Sequence, residues 1–305
     1  MTNREDALIE KILRLKEQRN AIILAHNYQL GEVQDIADFV GDSLELSRKA
    51  AKIDVDVIVF CGVHFMAETA FILSPDKTVL LPDMHAGCPM ADMITAEQLR
   101  EKKKELPKAV VVCYINSSAE VKAESDICCT SANAVPIIER LPDVEEIIFV
   151  PDQYLGHYVY AKVGRRLNLW PGFCPTHIKI MPEDILRLKQ RYPEAKVIVH
   201  PECRPEVTSL ADEVLSTGGM CRYAAQSEAR EIIIGTENGI LHRLRKENPD
   251  KSFIPASERA ICPNMKLINL EKILWSLEDM EHQVKVPEEI RIKAKSAVDR
   301  MLEVV

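Results

Sequence analysis

The 305-residue chain lacks several things, and each absence removes a class of function. No apolar run approaches the roughly 18 residues that a spanning helix needs. There is no surplus of positive charge either. The net charge is −8, which argues against a nucleic-acid-binding or membrane-binding surface. Residues 1–20 are too charged to read as a secretory leader. They read instead as an amphipathic helix over 2–19, with Leu8, Ile9, Ile12, Leu13 and Leu15 on one face and Glu5 and Asp6 in the first turn. There is no low-complexity linker. Hydrophobic residues make up 47% and charged residues 28%, as in ordinary globular proteins, and the length allows two or three domains. The expected location is cytoplasmic. The nine cysteines are then thiols, metal ligands or catalytic groups rather than a disulfide framework. Cys88 and Cys262 have no cysteine or histidine partner at Cys-x-x-Cys or Cys-x-x-His spacing, the pattern of many structural zinc sites.

What is present is a spacing. Gly87-Cys88-Pro89-Met90, Phe173-Cys174-Pro175-Thr176 and Ile261-Cys262-Pro263-Asn264 place one cysteine each at intervals of 86 and 88 residues. Three further series total the same length, with steps of 88 and 86. They are His26, Tyr114 and His200; Tyr28, Asn116 and Glu202; and Ser43, Ser131 and Thr217. Coincident series of polar residues indicate one unit repeated three times. Short, nearly continuous apolar runs open each unit at 21–25, 109–113 and 195–199. They have the character of strands buried on both faces of a parallel sheet. A helical pattern precedes each, over 2–19, 95–105 and 182–191. Second strands are expected at 57–61, 147–150 and 232–234, and third strands before each cysteine turn at 78–81, 167–170 and 252–254. The expected fold is α/β: three domains related by a pseudo-threefold axis, each a small parallel sheet flanked by helices. The expected units are 1–92, 93–179 and 180–305, the last ending in one or two closing helices over 269–305, parted at Pro287.

The series mark where ligands would bind. The first strands end in His26-Asn27-Tyr28, Tyr114-Ile115-Asn116 and His200-Pro201-Glu202. Ligand sites in open α/β sheets lie outside the carboxyl ends of strands, and residues i and i+2 point the same way. The next elements start at Asp42-Ser43, Thr130-Ser131 and Ser216-Thr217. Hydroxyls and free N–H groups at helix starts suit anions, although plain capping gives the same residues. Three cysteines brought to one centre suit a metal. A Cys3His zinc site completed by His177 and a [4Fe–4S] cluster with three cysteine ligands and one open iron both fit the pattern. Unliganded buried thiols fit Cys61 and Cys113 better, since these lie inside strands. Cys128, Cys129, Cys203 and Cys221 take no role.

Longer segments then resemble a known family. Leu24-Ala25-His26-Asn27-Tyr28, Ala37-Asp38-Phe39-Val40-Gly41-Asp42-Ser43, Cys88-Pro89-Met90-Ala91, Tyr114-Ile115-Asn116-Ser117, Cys129-Thr130-Ser131-Ala132-Asn133, His200-Pro201-Glu202-Cys203, Gly235-Thr236-Glu237 and Asn264-Met265-Lys266 are similar to quinolinate synthases. The resemblance runs from about residue 20 to 270. It implies three domains around a central [4Fe–4S] cluster, one per chain, held by Cys88, Cys174 and Cys262. It implies condensation of iminoaspartate with dihydroxyacetone phosphate to quinolinate, with loss of phosphate and two waters, in NAD biosynthesis. By it, His26, Ser43, Asn116, Ser131, His177 and Thr217 hold carboxylate or phosphate oxygens. Glu202 is the first choice for a base, with Tyr28, Tyr114 and His200 as acid/base partners. It also implies a transient hand-over from an enzyme that forms iminoaspartate. One departure stands out: some members carry a Cys-x-x-Cys-x-x-Cys run where Cys262 stands alone here. Two competing readings are an iron–sulfur enzyme like the diphthamide-biosynthesis proteins, which the strand-end pairs oppose, and a non-catalytic metal protein, which has no use for three anion sites.

Overall fold

The computed structural model describes residues 3–304. Residue 2 of the expected opening helix, and residues 1 and 305 of the expected units, lie outside them. The described residues form three four-stranded parallel sheets. The first holds β1 (Ala21–His26), β2 (Phe39–Gly41), β3 (Val57–Cys61) and β4 (Thr78–Leu80). The second holds β5 (Val110–Tyr114), β6 (Ile127–Cys129), β7 (Ile147–Val150) and β8 (Asn168–Leu169). The third holds β9 (Lys196–Val199), β10 (Glu213–Val214), β11 (Glu231–Gly235) and β12 (Ser252–Pro255). Each sheet runs second, first, third, fourth strand. The nine strands expected from apolar runs are present within a residue or two. The second strand of each sheet was not expected. β2, β6 and β10 are edge strands two or three residues long, too short to carry a periodic pattern.

The apolar runs form strands because helices cover both sheet faces. Ile23, Leu24, Val57, Ile58 and Val59 are buried in the first sheet, and Val197, Ile198, Ile232 and Ile233 in the third. Alternation decides the sides. In the third sheet, Val197, Val199 and Ile233 join one apolar cluster, and Ile198, Ile232 and Ile234 the other. Each such side chain contributes roughly 1.5–3 kcal/mol when fully buried. The first two sheets share one cluster that also takes in the C-terminal helices. Those helices follow the third sheet in sequence but pack elsewhere. Leu270–Asp279 lies on the opening helix Asn3–Gln18, and Glu288–Glu303 lies on Ala119–Ala123 and β6.

Local signals set the helix starts. Thr95 and Gln98 cap Ala96–Glu105 reciprocally, at 3.2 and 2.9 Å. Pro182 opens Pro182–Arg191 at its first helical position. The strand order has one consequence for function. The chain leaves the first strand of each sheet to one side and returns on the other. That reversal opens a crevice at the carboxyl end of the first strand. In the three sheets the crevice falls at His26, Tyr114 and His200.

Candidate active site at the three-sheet centre

The three crevices open into one cavity of about 180 Å³. All thirteen residues singled out in the sequence line it: Cys88, Cys174 and Cys262; His26, Tyr114 and His200; Tyr28, Asn116 and Glu202; Ser43, Ser131 and Thr217; and His177. Val63, Phe65 and Met66 add an apolar wall that no polar series marked.

The strand-end pairs share a local geometry. The N–H of Tyr28 donates to Nδ1 of His26 at 3.2 Å, and the N–H of Glu202 donates to Nδ1 of His200 at 3.4 Å. An Nδ1 that accepts leaves the proton of a neutral ring on Nε2. Burial lowers the pKa of both His26 and His200 to about 3, against the attraction of Glu202. Both rings are therefore neutral N–H donors at pH 7. His200 Nε2 donates to Ser131 Oγ at 3.1 Å.

Glu202 is the hub. Its side chain is buried, with Oε1 2.5 Å from the Tyr114 hydroxyl and 3.5 Å from Asn116 Nδ2. Its Oε2 lies 2.7 Å from His177 Nδ1. Burial pushes its pKa up, but His177, His200 and the Tyr114 hydrogen bond outweigh this, and the net shift is downward. Glu202 is a carboxylate. Burial and that nearby charge raise the Tyr28 and Tyr114 hydroxyls well above 10, so both keep their protons. Asn116 Oδ1 is buried and has no protein partner among the described residues, a condition native interiors rarely leave without a ligand or water.

At two helix starts one residue caps and its neighbour faces the cavity. Asp42, not Ser43, caps Ser43–Lys52, accepting from Leu44 and Glu45 N–H at 3.0 and 2.9 Å. Ser216, not Thr217, caps Thr217–Gln226. The two caps also join units, since the Ser216 hydroxyl donates to Asp42 Oδ2 at 3.1 Å. The join is tight: a Cβ on Gly218 would lie 2.7 Å from that same oxygen. The hydroxyls of Ser43 and Thr217 are thus left beside the cavity, and Thr217 Oγ1 accepts from Asn27 Nδ2 at 2.9 Å.

The donor set of the cysteines fits a metal cluster. The three thiols lie on partly exposed turns that line the same cavity. Backbone N–H groups of Ala91 and Met90 reach the Cys88 sulfur, and those of His177 and Thr176 reach Cys174. N–H groups aimed at cluster sulfurs are one of the protein's means of tuning iron–sulfur centres. Burial pushes the Cys88 thiol up to about 12 and raises that of Cys174 well above the ordinary thiol range. A bound metal is what would hold them as thiolates. Cys174, His177 and Glu202 also bring ligand atoms within 4.8 Å of one another. His177 Nε2 lies 2.8 Å from Thr236 Oγ1, and Nδ1 lies 2.7 Å from Glu202 Oε2 without making a hydrogen bond to it. The strand cysteines Cys61, Cys113, Cys128 and Cys129 are fully buried away from the cavity.

Sequence reasoning assigned no role to Thr236 or Glu237. Both are fully buried just past β11. Glu237 Oε1 accepts from the Cys262 N–H at 3.0 Å, and Oε2 accepts from the Gly239 N–H at 2.7 Å. Lys266 bridges Glu237 to the carbonyl of Tyr28. The matching positions after β3 and β7 are Gly62 and Val63, and Pro151 and Asp152. No repeated polar series marks this corner.

Residues 10–303 match the family described as quinolinate synthetase A protein. The chain is 65% identical over 300 residues to a quinolinate synthase of Dehalococcoides mccartyi strain CBDB1, covering 98% of this chain and 99% of that one. It is 59% identical over 297 residues to a quinolinate synthase of Methanosarcina barkeri, with 97% of each chain covered. It is 59% identical over 298 residues to one from Geotalea uraniireducens, with 98% of each covered.

Proposed function

The chain belongs to the quinolinate synthase family, and from that premise we propose that it condenses iminoaspartate with dihydroxyacetone phosphate to quinolinate in NAD biosynthesis. One phosphate and two waters leave. The observation that carries this reading is the cavity itself, in which three thiols, neutral imidazole donors, hydroxyls and one carboxylate hub converge from three sheets. The substrates bring two carboxylates and a phosphate. His26, Ser43, Asn116, Ser131, His177 and Thr217 are the groups proposed to hold those oxygens. The neutral His26 ring, the hydroxyls and the Asn116 amide suit this task, because they bind anions without locking them into buried ion pairs whose desolvation is costly.

Cys88, Cys174 and Cys262 would hold a [4Fe–4S] cluster. When bound, that group supplies Lewis acidity at an iron without a protein ligand, which suits the loss of water from a hydroxyl-bearing intermediate. The protein's own residues handle protons. Glu202 is the base, kept ionised by its neighbours. Tyr114, 2.5 Å from it, and Tyr28 and His200 stand as proton partners at the cavity wall. The apolar wall of Val63, Phe65 and Met66 limits access of bulk water to the reacting atoms. The test is an anaerobic assay with iminoaspartate and dihydroxyacetone phosphate, read as quinolinate. Absence of quinolinate from protein with a full iron and sulfide content would overturn the assignment.

A further inference from the structure

Two buried ionisable side chains stand where the first and second units meet, and the proposed reaction uses neither. Glu68 lies on the helix His64–Leu73 of the first unit, and Lys122 on the short helix Ala119–Ala123 of the second. Lys122 is 0% exposed and Glu68 7%. A lysine ordinarily carries its ammonium out to water along its apolar stem. Here the C-terminal helix Glu288–Glu303 packs on both of these helices and covers the junction. Burial works against both charges, raising the pKa of Glu68 and lowering that of Lys122. Ionisable groups buried this deeply need specific partners.

Each side chain finds its partners in the other unit. Lys122 Nζ donates to the Phe65 carbonyl at 3.2 Å and to Thr69 Oγ1 at 2.9 Å, and the Thr69 hydroxyl donates to that same carbonyl at 2.7 Å. The ammonium also lies 5.4 Å from the centre of the Phe65 ring, within range of cation–π attraction. In the opposite direction, Glu68 Oε2 accepts from the Ala119 N–H at 3.1 Å, a first-turn donor with no partner inside its own helix. Its other contact, His64 Nδ1 at 3.8 Å from Oε1, stays within its own helix. The two segments held in this way both reach the cavity. Phe65, next to Met66, belongs to the apolar wall, and Ala119 follows Asn116 by three residues. Glu68 and Lys122 themselves do not line the cavity. We propose that they are positioning residues that hold each other's unit: Lys122 fixes the wall of the first unit from the second, and Glu68 fixes the Asn116 end of the second unit from the first. The crossed bonds keep one spacing between the apolar wall and a group that holds substrate oxygens. The inference deepens the proposed reaction and rests on it for its catalytic meaning.

Amide hydrogen exchange on anaerobically prepared, iron-loaded protein tests the crossing. Lys122→Met should speed exchange over residues 63–69, in the other unit, and Glu68→Ala should speed it over residues 115–119. Glu68→Gln keeps an acceptor for the Ala119 N–H and should exchange like wild type. Loosening confined to the altered residue's own helix would overturn the proposal. Quinolinate formation per folded, iron-loaded molecule is the second readout. A misplacement of about 1 Å remote from the chemistry can cost about 10²-fold. Lys122→Met and Glu68→Ala should therefore each be about tenfold slower or worse, with Glu68→Gln within about threefold of wild type. Wild-type rates in Lys122→Met and Glu68→Ala would reduce the pair to a packing role and sink the idea, as would a Glu68→Gln variant no faster than Glu68→Ala. Lys122→Met alone leaves Glu68 without its counter-charge. If that variant does not fold, the double variant Glu68→Gln, Lys122→Met has no lone buried charge and decides the matter: exchange should rise over 63–69 and stay as in wild type over 115–119, and the reverse pattern contradicts the proposal. Should wild type make no quinolinate, the proposed reaction fails, and the exchange pattern alone decides Glu68 and Lys122.

Discussion

The two ends of the first strand in each sheet differ in what the three units repeat. Beside the body of the strand, the three units are chemically identical. Asp38, Asp126 and Asp212 each stand just before the edge strand, and each carboxylate accepts from a first-strand N–H, of Ile23, Val111 and Val197, at 2.8 Å in all three cases. The aspartate N–H returns a bond to the same residue's carbonyl. At the carboxyl end of the strand the units differ: His26 and Tyr28, Tyr114 and Asn116, His200 and Glu202. A two-way hook solves the same folding problem three times, so one residue serves three times. The strand ends face one shared cavity, to which each contributes something different. On the first strands, repetition of type marks scaffold, and repetition of position with change of type marks the site.

This contrast can be broken from either side. The largest effect is expected at the cysteine turns. Wild-type protein prepared without oxygen should hold about four irons and four sulfides per chain. Cys88→Ala, Cys174→Ala and Cys262→Ala should each lose the intact cluster, and Cys61→Ala, inside β3, should keep it. Metal analysis decides, and stoichiometric zinc in wild type would remove the cluster from the account. Next comes the hub. Glu202→Gln should retain iron and fold while quinolinate formation falls by roughly 10²–10⁴-fold. Turnover like wild type would take Glu202 out of the chemistry.

The scaffold end should behave in the opposite way. Asp126→Ala removes the partner of a part-buried N–H and should destabilise by about 1–3 kcal/mol. The rate per correctly folded, iron-loaded molecule should be nearly unchanged. A large drop in that rate, with an unchanged melting temperature, would erase the distinction between the two ends. The smallest effect concerns pH. His26 and His200 have pKa values of about 3 in the folded protein and about 6.5 when unfolded. Below pH 6.5 the unfolded chain binds protons that the folded protein does not, so stability falls as pH drops from 6.5 toward 3. Above 6.5 neither ring contributes a slope. Thermal melts between pH 7.5 and 5 should show a shallower decline for His200→Gln than for wild type, and equal slopes would contradict the neutral, buried state of the ring.

Much of this was legible in the chain itself. Apolar runs marked nine strands, most plainly the three rich in β-branched residues, because a strand buried on both faces needs apolar side chains. Equal spacings marked the cysteine turns, strand ends and helix starts, because a repeated unit carries its corners at constant offsets. Three things were not legible. The edge strands β2, β6 and β10 are too short for a pattern and are held by the aspartate hooks and their neighbours. Which residue at each helix start caps and which faces the cavity was the second, because capping by Asp42 and Ser216 depends on backbone angles that sequence shows only loosely. Thr236 and Glu237 belong to no threefold polar series, since they serve a corner where the third sheet meets the first.

The sequence by itself determined the period of the repeat, the strands and which residue types stand at each corner, because these follow from local burial patterns and from spacing along the chain. Only the tertiary structure decided which corner meets which. Tyr114 reaches across sheets to Glu202, Tyr28 reaches Thr236, and the C-terminal helices pack on the first two sheets rather than the third. Those choices depend on packing between units, and no interval along one chain encodes the direction in which three separate crevices face.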